Sequence, residues 1–238
     1  DQSWVTVDLG GGSLEVSLVS NEGIHWSESH TMGTVRLLED LGGADADPAE
    51  FPGLVEEYVN TLRFHDHIEP DEIGGLVATG GNIEALALLA GIERDDRGVS
   101  RLPVKRLRKV VKALGRMSVA ERISKLGLRE DRADVILPAA MVYFHLAQMA
   151  GVDRILVPDV GVKEGLVLDL AEDLVSHASH ELRQEQQLTK ASISLGRRFM
   201  FDEAHGLHVG QLALSLFEQL SDLHQLDASN RPLREARR

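Results

Sequence analysis

Apolar and polar residues alternate over two short runs near the start of the chain. Val5 and Val7 alternate with Thr6 and Asp8, and Leu14, Val16 and Leu18 alternate with Glu15 and Ser17. Period-2 alternation rich in β-branched residues predicts two half-buried strands. Gly10, Gly11, Gly12 and Ser13 stand between them, so Trp4–Val19 reads as strand, tight turn, strand. The turn Ser20-Asn21-Glu22-Gly23 leads to a third predicted strand, Ile24–Met32. Gly33 breaks it, and Thr34 is placed to cap a short helix over Val35–Leu41.

The period then changes. Phe51, Leu54, Val55, Tyr58, Val59 and Leu62 recur at helical spacing and predict a helix from Pro48 to about Phe64. Ile73–Ala78 is a short apolar strand, and Thr79-Gly80-Gly81-Asn82 turns it into a helix over Ile83–Ala90. Leu102–Val104 reads as an edge strand or as the lead-in to a basic helix, Lys105–Met117. Ser118-Val119-Ala120-Glu121 is a capping box for a short helix that Gly127 ends. Asp131–Met149 reads as one long apolar helix that Pro138 should kink. Arg154–Pro158 is another strand, followed by the turn Asp159-Val160-Gly161 and a helix from Val162 to about Leu174. Beyond Val175 strand patterns stop. Glu203–Leu223 is an amphipathic helix with Val209, Leu212, Ala213, Leu216, Phe217 and Leu220 on one stripe. The order predicts an α/β fold, a mixed sheet flanked by helices, over residues 1–173, followed by an all-α segment over 174–238.

Composition narrows the class. The chain has 238 residues, 43% hydrophobic and 26% charged, which is ordinary for a globular protein. No apolar run approaches the length of a membrane span, and no signal-peptide pattern opens the chain. Cysteine is absent, so disulfides and thiolate metal sites are excluded and a cytoplasmic setting is the simplest expectation. The formal charge of −13 argues against general nucleic-acid binding. Positive charge concentrates locally at Arg101, Lys105, Arg106, Arg108, Lys109, Lys112 and Arg116, a group that reads either as a solvated helix face or as an anion-binding surface.

The candidate chemistry gathers at glycine turns. A hairpin turn of Gly10, Gly11, Gly12 and Ser13 aims backbone amides at one point, which suits phosphate oxygens. It is neither a Walker loop, since no Gly-Lys-Ser/Thr follows, nor a dinucleotide fingerprint, since a strand follows. Asp8, at the end of the first strand, is placed to hold a metal or a water. Arg36 follows a glycine at a strand-to-helix junction and is either a phosphate ligand or a partner of Glu39. Gly80 and Gly81 form a second strand–glycine–helix junction that directs free amides at an anion. His65-Asp66-His67, His177 with His180, and His205 with His208 resemble metal-ligand spacings but read as ordinary loop and helix residues.

Taken together, these segments resemble the exopolyphosphatase / guanosine pentaphosphate phosphohydrolase family. Val7–Val16 (VDLGGGSLEV) is similar to its second phosphate loop, Met32–Leu37 to its G-x-V-R-L element, and Ala78–Leu89 to its second glycine turn. Arg132–Leu170 is similar to its R-A-D helix and final glycine junction. The resemblance implies an actin-like, sugar-kinase-like (RNase H-like) fold. It also implies hydrolysis of a terminal phosphate from inorganic polyphosphate or pppGpp by water attack, with magnesium as cofactor. Carried over by position, it assigns Asp8 to metal or water and Glu15 to a supporting carboxylate. Gly10, Gly11, Gly12 and Ser13 would cradle phosphate, and Arg36, Gly80 and Gly81 would line the cleft.

Departures from the family pattern set further expectations. The family places a first lobe, carrying another phosphate loop and a water-activating glutamate, ahead of the strand that opens this sequence. The family's arginine before Glu-Gly is Lys163 here, which weakens recognition of a guanosine nucleotide. Asp202–Leu220 resembles the start of a helical HD-type domain. The chain is therefore expected to be a central fragment with low turnover of its own, and to self-associate as a homodimer or otherwise. The competing reading is a module that binds polyphosphate or an alarmone without hydrolysing it.

Overall fold

The computed structural model describes residues 2–40, 42, 51–62, 72–175, 188–189, 192–193, 195–197, 199–220 and 223. It divides into two compact units, Asp1–Glu22 with Trp26–Lys163, and Gly23–His25 with Glu164–Arg238.

The first unit is built on a six-stranded sheet. Its strands are β1 (Ser3–Leu9), β2 (Leu14–Ser20), β3 (Gly23–His30, of which Trp26 onward belongs to this unit), β4 (Ile73–Thr79), β5 (Val99–Pro103) and β6 (Arg154–Pro158), in the order β3-β2-β1-β4-β6-β5. β1 pairs antiparallel with β2 and parallel with β4; β6 pairs parallel with β4 and antiparallel with β5. The alternation read from the sequence is the alternation of burial. Val5, Val7 and Leu9 of β1 and Leu14, Val16 and Leu18 of β2 are buried, joined by Leu76 and Ala78 of β4 and Ile155 and Val157 of β6.

The helices of this unit are α1 (Thr34–Asp40), α2 (Phe51–Val59), α3 (Gly81–Leu89), α4 (Val104–Leu114), α5 (Val119–Leu126), α6 (Glu130–Ala133) and α7 (Ile136–Met149). α7 is the hub, packing against α1, α2, α3 and α4. It is buried along Ile136–Tyr143 and again at Leu146 and Ala147, as a helix apolar on all sides must be.

Two expectations are corrected here. The predicted long helix Asp131–Met149 is two helices, α6 and α7, separated at Asp134 and Val135. Pro138 is the third residue of α7, within its first turn, where the amide it lacks would have had no helical partner. The interruption at Asp134, four residues before Pro138, stands where a kink was expected. The strand at Leu102 is the longer edge strand Val99–Pro103. Within the helix predicted from Pro48 to about Phe64, the described residues form α2, Phe51–Val59, and a turn to Leu62; 48–50 and 63–64 lie outside the described residues. The capping box at Ser118 forms in full, and Gly127 closes α5 in the left-handed conformation at φ 65°.

α8 (Val162–Val175) begins in the first unit and continues in the second, which also holds α9 (Glu203–Gln219). Asp202 caps α9 by accepting from His205 N at 3.0 Å. On the predicted stripe of this helix Val209, Leu212, Leu216 and Leu220 are exposed, and Leu214, which is not on that stripe, is buried. No helix among the described residues is long and apolar enough to cross a membrane.

Candidate active site

Strand pairing brings the predicted residues to one place. Asp8 is the register partner of Glu15 on β2 and of Thr79 on β4. Asp8 and Glu15 therefore lie side by side on the face opposite Val7 and Val16. The glycine loop 10–13 stands next to the Gly80–Gly81 turn, beyond the carboxyl ends of the parallel strands β1 and β4. Open α/β sheets bind ligands in that position.

The loop is held from within and from behind. Gly10 N donates to Ser13 O at 3.0 Å and closes the turn. Thr34 N and Val35 N donate to Gly10 O and Gly11 O, each at 3.0 Å, so α1 begins by gripping the loop. Gly33 makes this approach possible, because a Cβ there would lie 2.3 Å from Gly11 C and O. Among the described residues nothing accepts from the amides of Gly11 and Gly12, both of which are exposed. Those two donors are what the loop offers to a ligand.

Gly80 has φ +103°, a conformation L side chains avoid, and a Cβ there would meet Asp8 Oδ1 at 3.2 Å. The Asp8 carboxylate thus rests against the Gly80 backbone. Partial burial, and then the charge of Glu15 across the hairpin, raise the Asp8 pKa above the ordinary carboxylate value. Glu15 accepts from Ser29 Oγ of β3 at 2.9 Å, which fixes its carboxylate. Two neighbouring carboxylates, one of them with a raised pKa, suit a hard cation that would relieve the repulsion. Magnesium commonly takes one or two carboxylates and fills its remaining positions with water and phosphate oxygens. No group of three His, Asp or Glu side chains that could hold a metal occurs among the described residues.

Arg36 is the third residue of α1, one position beyond the amide that holds Gly11, and it is exposed. The alternative ion pair with Glu39 does not form. Lys163 is exposed near the start of α8. His205 and His208 are exposed on α9. His65-Asp66-His67, and His177 with His180, lie outside the described residues. A groove of about 480 Å³ lined by Trp4, Gly75, Arg101 and Arg154 lies at the opposite ends of the strands and contains none of the predicted site residues.

Two residues reach the site that sequence reasoning did not place there. The Arg132 guanidinium packs against the first residue of α3: a Cβ at Gly81 would lie 2.6 Å from Arg132 Nη2. No carboxylate among the described residues pairs with it. The backbone around Arg132 is anchored by Arg122, which is 3% exposed. Arg122 donates to Ala133 O at 2.9 Å and to Leu114 O at 3.1 Å, tying α6 to the end of α4. Tyr143, fully buried on α7, donates to Thr79 O at 3.3 Å beneath Asp8. Burial, with the charge of Asp8 nearby, pushes its hydroxyl pKa up and keeps it a neutral donor. The only signal in the sequence was Arg132's position at the head of the R-A-D segment.

Comparison with known proteins identifies the family and the fold. The sequence profile of the Ppx/GppA phosphatase family matches residues 1–174. An exopolyphosphatase 2 of Mycobacterium tuberculosis is 31% identical over 183 residues, covering 71% of this chain and 56% of that protein. A guanosine-5'-triphosphate,3'-diphosphate pyrophosphatase of Vibrio vulnificus is 25% identical over 229 residues, covering 92% of this chain and 42% of that one. Among solved structures, an exopolyphosphatase from Cytophaga hutchinsonii superposes with a TM-score of 0.63 at 22% identity, over 71% of this chain and 57% of that chain. A Ppx/GppA phosphatase from Aquifex aeolicus superposes at 0.59 and 22% identity, over 70% and 56%. The structural likeness is one of fold, the actin-like mixed sheet flanked by helices. The chain spans about half the length of the curated relatives it matches.

Proposed function

This chain belongs to the Ppx/GppA phosphatase family, and from that membership we propose that it supplies the phosphate-gripping lobe of a phosphoanhydride hydrolase. Its substrate is inorganic polyphosphate or pppGpp, from which water releases terminal orthophosphate. The observation that carries this reading is the juxtaposition of Asp8 with Gly80 at the head of two parallel strands, beside the free amides of Gly11 and Gly12. The names of the relatives, exopolyphosphatase and guanosine-5'-triphosphate,3'-diphosphate pyrophosphatase, support the substrate class.

Phosphoryl transfer depends on positioning and charge neutralisation more than on covalent chemistry. In this reading the Gly11 and Gly12 amides and the Ser13 hydroxyl bind phosphate oxygens. Gly80 and Gly81 let the phosphate approach the backbone closely. Arg36 and Arg132 flank the site and supply positive charge. Asp8, with Glu15 beside it, would hold magnesium, which when bound neutralises phosphate charge. The Ser29 bond orients Glu15 toward that role, and Tyr143 supports the backbone under Asp8.

The test is orthophosphate release from long-chain polyphosphate with magnesium, alongside binding of tripolyphosphate, for the chain and for Gly11→Val. Binding that Gly11→Val abolishes supports the grip, and release that it abolishes supports hydrolysis by this chain. Binding without release would assign this chain the grip alone, with the water-activating group supplied from elsewhere. Absence of tripolyphosphate binding with magnesium present would sink the proposal.

A further inference from the structure

A line of cations runs along the solvent side of α4. Lys105, Arg108, Lys109 and Lys112 are exposed, while Leu107 and Leu114 on the opposite side are buried. Their spacing stacks the four side chains on one face over about 10 Å of helix. Arg116 continues the line in the turn that follows. None of these five side chains has an ion-pair or hydrogen-bond partner among the described residues. Asp153, which Lys105 reaches only through space, is already bonded by Arg154 at 2.8 and 3.0 Å.

The arrangement differs from an ordinary solvated face. Residues 97–120 contain no Asp or Glu, in a chain of net charge −13. Lys105 with Lys109, and Arg108 with Lys112, are like-charge pairs at i,i+4, which destabilise a helix. The neighbouring α5 carries the usual mixed pair instead, Lys125 with Glu121 at 2.7 Å. A stretch that keeps uncompensated repulsion in an otherwise acidic protein is suited to an anionic partner.

The same stretch says which anion. No Phe, Tyr or Trp occurs between residues 90 and 142. Single-stranded nucleic acid is normally held by bases stacked on aromatic side chains as well as by cations, and neither α4 nor the chain from 91 to 141 supplies an aromatic side chain of that kind. A polyanion without bases needs only the line of charge. Position says how it connects to the site. Arg106, within α4, donates to Ala90 O and Gly91 O at the end of α3, and the nine-residue α3 begins at Gly81. α4 is thus fastened at one end of α3, and the Gly80–Gly81 turn lies at the other end of that helix, which is about 13 Å long.

We propose that the exposed face of α4 is a second binding surface for the body of a long inorganic polyphosphate chain. It lies beyond the reach of a short phosphate gripped at the glycine loop. The inference rests on the function proposed above only for the identity of the polyanion.

The experiment compares the whole chain with its Lys105→Gln/Lys109→Gln/Lys112→Gln variant, measuring affinity for long-chain polyphosphate and for tripolyphosphate across a salt series. The variant should lose roughly tenfold or more in long-chain affinity, with a salt slope shallower by about one per lysine removed. Tripolyphosphate affinity should not change. The melting temperature should hold or rise, because like-charge pairs are removed. Unchanged long-chain affinity overturns the proposal. So does a single-stranded RNA homopolymer that competes as well as polyphosphate with the same lysine dependence, since the surface would then serve nucleic acid. A chain that binds long polyphosphate through these lysines but fails to bind tripolyphosphate would retain this inference and remove the proposed active site. The converse pattern would remove only this inference.

Discussion

Gly33 lies so close to Gly11 that a Cβ added to it would sit 2.3 Å from the Gly11 carbonyl carbon and oxygen. The start of α1 and the glycine loop are thus one packed unit, joined by the amides of Thr34 and Val35. Gly33→Ala should push the two apart, destabilising the fold by about 1–3 kcal/mol as overpacking does, and should weaken tripolyphosphate binding. Gly11→Ala meets Val35 Cγ2 at 3.3 Å, and Gly12→Ala meets nothing within 4 Å. Thermal melts should therefore rank the variants with Gly33→Ala least stable and Gly12→Ala closest to wild type. Equal melting temperatures for Gly33→Ala and Gly12→Ala would contradict the packing.

Asp8 predicts a pH dependence with a definite sign. Its folded pKa is raised by burial and by Glu15, so folding favours the protonated form. The stability contributed by this group is largest below the ordinary carboxylate value and is lost as pH rises through the raised one. Asp8→Asn should therefore raise the melting temperature at neutral pH, and the gain should vanish in acid. Magnesium should stabilise the wild type at neutral pH and leave Asp8→Asn unaffected. A variant stabilised equally by magnesium would place the ion elsewhere.

Arg132 packs against Gly81 with no acidic partner among the described residues. Charge-assisted hydrogen bonds contribute about 1.5–3 kcal/mol, so Arg132→Gln should weaken tripolyphosphate affinity by roughly tenfold or more. Arg132→Lys should restore only part of it, because a lysine lacks the planar fork. Calorimetric titration of the three proteins distinguishes this from a structural role, in which affinity would be unchanged while the melting temperature fell.

Arg122 should act through Arg132, because it bonds the carbonyl of the next residue, Ala133. Its two hydrogen bonds to Leu114 O and Ala133 O are buried, and leaving those carbonyls unpaired costs about 1–3 kcal/mol each. Arg122→Met should lower the melting temperature clearly and weaken tripolyphosphate binding in parallel with Arg132→Gln. In the Arg132→Gln background it should have little further effect on affinity. Full additivity of the two affinity losses would separate the residues.

The strands of the first hairpin, the glycine turns, the capping box at Ser118 and the apolar hub helix were all legible because each is written in local spacing. Period-2 alternation, a run of glycines and a Ser-x-x-Glu pattern act over a few residues, and the backbone responds to them there. The placement of Pro138 was not legible. A proline inside an apolar run looks the same whether it kinks a helix or sits in its first turn, and the start of α7 at Ile136 decides between them. The exposure of Val209, Leu212 and Leu216 on α9 was equally hidden, since amphipathic spacing identifies an apolar stripe but not what lies against it.

The sequence by itself determined the family segments, the loop that offers amides and the carboxylate Asp8 beside it. Tertiary structure alone decided that Asp8 meets Gly80, that Arg132 closes on Gly81 and that Tyr143 reaches Thr79, because each contact joins residues 50 or more positions apart. Those distances are bridged by a parallel crossover and by packing on α7, and pattern along the chain does not record which side chains such packing brings face to face.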